Sequence, residues 1–314
     1  MSKPVPARPR TAEKLPQLPG ITDRKLLAAY RDAQCFLRRR YVSGVGIGYA
    51  MKNGKYTKEL AISIHVDTKV PIEQLTKLQR FPATLGGVRV DVVALRIAPH
   101  ISGDEAEARQ RTKLNPLRPG ALLKTEDGDI GTIGLLVTGQ RDGKTYLLSA
   151  AHVMQSLAAK IYQPNKALAP AFLGQVIAIF NTPGDVAIAE CRGRRTLNQP
   201  MGSNTPISKV RSVALDDVLT ISGAMSGLAK GKVMWIGRKD MIYGPDDVRK
   251  VDGFQMCSAT ATPLSTRRGD SGALWFDEDG AGVGLHVGGD TTDGLPWYFA
   301  CNLEQAMARL KVKL

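Results

Sequence analysis

Ser271 lies in Arg268-Gly269-Asp270-Ser271-Gly272-Ala273-Leu274, a hydroxyl framed by small turn-forming residues and followed by an apolar strand. A serine hydroxyl is a weak nucleophile until a neighbouring base takes its proton. His152 is placed for that task, because the apolar run Tyr146-Leu-Leu-Ser-Ala-Ala-His152 delivers an imidazole at a strand end. Asp185, in Pro183-Gly184-Asp185-Val-Ala-Ile-Ala189, opens a further apolar strand and can orient that imidazole. Asp216 and Asp217 remain rivals for this third position. Gly269 lets the chain turn tightly, so that the N–H groups of Gly269 and Ser271 can converge on a developing oxyanion. Of the other histidines, His65 and His286 fall within strands and His100 in a Pro-containing connection, where packing or surface roles are expected.

These residues need a scaffold of short strands. From residue 121 onward some ten apolar stretches, among them Thr132 to Thr138, Gly231 to Ile236 and Gly253 to Ala259, are separated by Gly, Asn, Asp or Pro, the pattern of an all-β barrel or sandwich. Leu303 to Leu310 reads as a closing helix. Residues 1–22, with Pro4, Pro6, Pro9, Pro16 and Pro19, read as a flexible lead-in. Thr22 to Arg39 carries apolar positions at helical spacing, capped by Thr22 or Asp23. Strands at Val42 to Tyr49 and Glu59 to Val66 flank a Lys52-Asn53-Gly54-Lys55 turn. A short helix from Pro71 to Leu78 and a strand from Val88 to Leu95 follow, making residues 23–97 a small α+β module. Residues 98–120 are expected to link it to a barrel domain spanning 121–314.

Composition narrows the setting. The chain has 314 residues and a formal net charge of +14, weighted toward the N-terminal part. Residues 1–112 hold 20 Lys and Arg against 10 Asp and Glu, with Arg38-Arg39-Arg40 the local extreme. A polyanion or nucleic-acid contact through this basic module is weakly supported, because no stacking aromatics or nucleic-acid motif accompany the charge. No apolar run reaches the roughly 18 residues that span a bilayer, so no membrane partner is expected. Cys35, Cys191, Cys257 and Cys301 are widely spaced and form no CxxC pair, which argues against a zinc site and a disulfide framework. No metal or cofactor is expected, and the missing signal-peptide pattern points to the cytoplasm.

Ser149-Ala150-Ala151-His152, Asp185-Val186-Ala187-Ile188 and Gly269-Asp270-Ser271-Gly272 resemble the motifs of the trypsin/chymotrypsin family, over roughly residues 113–314. The upstream Val45-Gly46-Ile47-Gly48-Tyr49, Glu59-Leu60-Ala61-Ile62 and Val88-Arg89-Val90-Asp91-Val92 extend the likeness. The whole chain most resembles a branch of bacterial trypsin-like proteins and plant narrow-leaf proteins with an extra N-terminal module. The resemblance implies a mainly β, chymotrypsin-like double β-barrel preceded by that α+β module. It implies a serine endopeptidase acting on a protein or peptide, with His152 as base, Asp185 as orienter, Ser271 as nucleophile, and Gly269 and Ser271 as oxyanion donors. Ser265 would lie at the floor of the substrate pocket, Val287 and Gly289 along its strand wall, and Trp297 near the opposite wall. An uncharged Ser265 argues for a small or medium uncharged side chain rather than Lys or Arg.

Val153 stands where secreted relatives have a disulfide cysteine, and no activation site is evident at Pro119-Gly120-Ala121. Asp270 is therefore expected to find a partner inside the chain rather than a freed N-terminus. An intracellular regulatory or processing role fits better than digestion, with a homo-oligomer left open. The competing expectation, from a different class, is a catalytically silent scaffold that binds an acidic partner through the basic module.

Overall fold

The computed structural model describes residues 17–52, 55–95, 97–99, 112–164, 171–244, 246–259, 266–290 and 297–314. Most of the expected lead-in and linker, the Asn53-Gly54 turn, His100 and Ser265 lie outside them. Two sheets carry the fold. The eight-stranded sheet runs in the order Val312–Lys313, Leu135–Gly139, Thr145–Ser149, Val186–Glu190, Phe172–Phe180, Lys160–Tyr162, Leu122–Thr125, Ile130–Thr132. Its interior is filled by Leu123, Leu147, Ile161, Leu173, Ala187 and Ala189, strand residues that the pleat turns inward, and by Ile133 between two strands.

The twelve-stranded sheet contains a closed ring. Val218–Gly223 pairs with Leu274–Phe276, then follow Ala281–Asp290, Trp297–Asn302, Asp247–Ser258 and Gly227–Gly244, and the last returns to Val218–Gly223. Closure pairs the strand edges within this ring, as in small β-barrels. Phe254, Trp275, Tyr298 and Val283 pack within one core of this ring. The long hairpin of Gly227–Gly244 and Asp247–Ser258 extends well beyond the expected Gly231 to Ile236 and Gly253 to Ala259. Its outer arm mixes the charged Lys239, Asp240, Arg249 and Lys250 with the exposed apolar Ile242 and Val248, so apolar patterning alone hides it.

The N-terminal strands are not free-standing. Val42–Lys52 pairs antiparallel with the long arm, from Gly44 opposite Lys239 to Gly48 opposite Trp235. Lys55–Val66, Val88–Ala94 and Thr84–Leu85 then continue the same sheet outward. The helix Arg24–Ala33 is capped by Asp23, whose Oδ1 accepts from the Lys25 and Leu26 amides at 2.7 and 3.2 Å. Leu26, Ala29, Tyr30 and Ala33 cover Val45, Ile47, Ile62 and Ile64. A 3₁₀ turn, Gln34–Arg38, ends it.

Two local expectations change. Pro71 to Leu78 holds only the 3₁₀ turn Ile72–Gln74, because Ile72 and Leu78 are 60% and 87% exposed and give a helix no face to bury. Arg39, within the basic run, is occupied internally. It donates to the Tyr41 hydroxyl at 3.1 Å and to the Gln79 carbonyl at 3.3 Å, and its guanidinium lies 4.8 Å from both the Phe36 and Phe81 rings. No described helix is long and apolar enough to cross a membrane.

Candidate active site

The site forms where the two sheets face each other. Thr145–Ser149 ends in a single helical turn, Ala151–Met154, which carries His152. The neighbouring strand Val186–Glu190 pairs Ala187 opposite Ser149, so Asp185 just before it lies beside that turn. The fully buried Asp185 carboxylate accepts the His152 backbone N–H at 2.9 Å through Oδ1. Its Oδ2 lies 2.5 Å from His152 Nδ1. On the far side of the ring, Nε2 stands 2.9 Å from Ser271 Oγ. With Nδ1 protonated toward the carboxylate, Nε2 presents its lone pair to the serine proton.

Burial pushes the Asp185 carboxyl up, but the His152 charge and the hydrogen bonds from His152 and Tyr243 outweigh it and hold it below the usual carboxylate range. Tyr243, near the end of the long arm, donates its hydroxyl to Asp185 Oδ2 at 2.9 Å. Arg249 on the facing strand lies 4.4 Å from the Tyr243 ring centroid and 4.0 Å from Asp185 Oδ1. Sequence reading missed both, since neither stands near a motif and only the hairpin's unforeseen length brings them here. Asp216 and Asp217 do not meet His152. Asp216 engages Tyr49 and Lys232, and Asp217 engages Arg211 at 2.7 Å.

Ser271 is held by backbone from both sheets. Its carbonyl accepts the Thr132 N–H at 2.9 Å, while Gly272 N–H donates to the His286 carbonyl at 2.8 Å. The Thr132 hydroxyl donates to the Gly269 carbonyl at 2.7 Å. Gly269 has φ of 95°, a left-handed conformation that glycine takes without penalty. At Gly272 a Cβ would fall 2.1 Å from Ser149 Oγ, so the close approach of the turn to the His152 strand requires glycine.

Asp270 has its partners inside the chain. Oδ1 accepts from the Met225 and Ser226 amides at 2.9 and 3.1 Å, and Oδ2 from the Arg267 amide at 2.7 Å. The two amides of Met225 and Ser226 tie the serine turn to the Met225 loop, and the Arg267 amide braces the turn itself. Burial still pushes the Asp270 carboxyl above its ordinary range against these bonds.

Val287, expected along the pocket wall, places its carbonyl oxygen 3.4 Å from Ser271 Oγ. Gly289 pairs with Tyr298 on one edge and Ala98 on the other. Trp297 is 6% exposed, and its ring packs edge-on against Tyr56 with centroids 5.7 Å apart. His286 is buried, with Nδ1 accepting from Trp275 Nε1 at 3.4 Å. His65 is buried and stacked on Trp235, with ring centroids 4.7 Å apart.

No family model matches the chain, and no curated protein matches it. Its fold is similar to several solved structures. A glutamic acid specific serine protease aligns with a TM-score of 0.52 at 16% identity, covering 62% of this chain and 98% of its own. Thermobifida fusca Protease A aligns at 0.50 with 15% identity, covering 63% and 98%. Cellulomonas bogoriensis chymotrypsin aligns at 0.50 with 14% identity, also covering 63% and 98%. Two sheets meeting at a Ser–His–Asp constellation, and this likeness, agree: the chain has the chymotrypsin-like serine protease fold.

Proposed function

We propose that the chain is a serine endopeptidase using His152, Asp185 and Ser271. The observation that carries the reading is the unbroken line from Asp185 Oδ2 through His152 to Ser271 Oγ, at 2.5 and 2.9 Å. As Ser271 Oγ attacks a peptide carbonyl, His152 Nε2 takes its proton and Asp185 stabilises the imidazolium. The Gly269 and Ser271 N–H groups are the oxyanion donors in this reading. Collapse of the adduct passes the proton to the leaving amine and leaves an ester on Ser271. Water, deprotonated by His152, then hydrolyses that ester and restores the serine.

Cys35, Cys191, Cys257 and Cys301 are free thiols, which supports an intracellular processing or regulatory role in a reducing compartment. The neutral Ser265 favours a small or medium uncharged residue before the cut. A fluorophosphonate should label Ser271 in the wild type and not in Ser271→Ala. Absence of labelling in the folded wild type would sink the proposal and favour a silent scaffold. Peptide-library cleavage dominated by Arg and Lys would reject the specificity.

A further inference from the structure

The strand Ala281–Asp290 is flanked on one edge by Trp297–Asn302. On its other edge Leu274–Phe276 pairs only as far as Leu285, just before the stretch that faces the nucleophile. There the sheet gains another strand, Ala98–Pro99, antiparallel, with Ala98 opposite Gly289 and Pro99 opposite Gly288. From Ala98 to Pro99 the chain therefore advances toward Val287, whose carbonyl oxygen lies 3.4 Å from Ser271 Oγ. The approach is backbone on backbone. A Cβ on Gly288 would fall 2.1 Å from the Ala98 carbonyl oxygen and 2.8 Å from Pro99 Cα.

The added strand is anchored from upstream. Leu95 and Ile97 are 5% and 6% exposed and share one core with Val287, Trp297 and Phe299. The Leu95 N–H donates to the Val66 carbonyl at 3.0 Å, and Lys239 Nζ lies 3.5 Å from the Leu95 carbonyl oxygen. Pro99 itself is buried. A free peptide that reaches Ser271 in extended form uses a strand edge of this kind, with main-chain bonds supplying affinity. A tethered strand meets that edge at an effective concentration of about millimolar and competes with any free peptide.

We propose that Ala98–Pro99 is a built-in occupant of the peptide-binding edge at Gly288–Gly289, and that activation is its displacement. The proposal rests on the peptidase reading above. Its occupant is an extended segment of this same chain, a small residue followed by proline, delivered by the N-terminal strands.

The test compares full-length wild type with Pro99→Asp, which places a charge where Pro99 is buried against the edge. A small alkyl fluorophosphonate reads the nucleophile alone, and a tetrapeptidyl phosphonate reads the nucleophile plus the strand edge. Pro99→Asp should raise peptidyl labelling by about tenfold or more, with alkyl labelling unchanged. A peptide of residues 95–99 should inhibit the variant more strongly than the wild type.

If Pro99→Asp does not fold, wild type carries the test through amide hydrogen exchange. Loading Ser271 with the peptidyl probe should speed exchange of the Ile97 and Ala98 amides, and loading it with the alkyl probe should not. An unchanged labelling ratio, or unchanged exchange after peptidyl loading, would overturn the proposal. Failure of the alkyl probe on both proteins removes the nucleophile instead, and the peptidase reading falls together with this one.

Discussion

The Tyr243 hydroxyl donates to Asp185 Oδ2 at 2.9 Å, the same oxygen that stands 2.5 Å from His152 Nδ1. A fully buried carboxylate stays ionised when hydrogen-bond donors replace the water it has lost. Asp185 meets this with His152 N–H, His152 Nδ1 and Tyr243, the last from the other sheet. Burial and the Asp185 charge push the Tyr243 phenol well above its ordinary value, so it remains a donor across the working pH range. Tyr243→Phe removes one hydrogen bond to a charged group, worth about 1.5–3 kcal/mol, and should lower kcat by roughly one to two orders of magnitude. KM should stay unchanged, because the hydroxyl acts through His152 and touches no substrate. Steady-state kinetics decides it, and a change confined to KM would count against a positioning role.

Asp185→Asn keeps the shape but loses the charge that stabilises the imidazolium. Hydrolysis should fall by a factor on the order of 10⁴, as for a triad whose histidine tautomer is misdirected. The stability effect has a definite sign. The folded carboxyl lies below its ordinary 3.8, so its contribution is fully present above 3.8 and is lost as pH falls from there through the folded value. The stability gap between wild type and Asp185→Asn should therefore be smaller at pH 3 than at pH 5, measured by denaturant unfolding at each pH.

Ser271, His152 and Asp185 were legible because each is a reactive polar group at the end of an apolar strand, a pattern contained in a few consecutive residues. The helix Arg24–Ala33 and the helix Leu303–Leu310 were legible for a similar reason, since their periodicity is local. Tyr243 was not. It lies on an arm that mixes charged and exposed apolar residues, and its partner is 58 residues away in sequence. Thr132–Thr138 was expected as one strand, but it breaks into Ile130–Thr132 and Leu135–Gly139. Gly134 sits at the break, where a Cβ would fall 2.3 Å from the Gly272 carbonyl oxygen. The serine turn and Leu285, whose Cδ2 would lie 2.5 Å from that Cβ, both approach the chain at this break. The strand role of Ala98–Pro99 was hidden in the same way, since its partner edge lies in the other half of the chain.

His65 supplies a pH-dependent stability outside the active site. It is fully buried on Trp235, with Lys239 Nζ 3.4 Å from Nδ1. Burial, reinforced by the Lys239 charge, pushes its imidazole well below 6.5. The unfolded chain thus binds a proton that the folded chain refuses, and stability falls as pH drops below about 6.5. His65→Gln should flatten the dependence of Tm on pH between pH 6.5 and pH 5, although Tm at pH 8 falls through lost packing. An unchanged slope would show that other groups control acid sensitivity.

The junction between Val42–Lys52 and the long arm predicts that the N-terminal strands and the ring of strands unfold together. At Gly46 a Cβ would fall 2.2 Å from Trp235 Cε2, and at Gly237 it would fall 2.4 Å from Gly46 Cα. Neither strand can yield alone, because Trp235 is stacked on His65 and tilted against Phe299. Gly46→Ala therefore forces a backbone shift along the arm, at about 1–3 kcal/mol for an overpacked core. The same arm carries Tyr243 to Asp185, so the strain travels toward the active site. A single melting transition should persist at a Tm lower by several degrees, with fluorophosphonate labelling of Ser271 lost at that same lower temperature. A second, earlier transition that spares labelling would mean that the N-terminal strands unfold independently of the site.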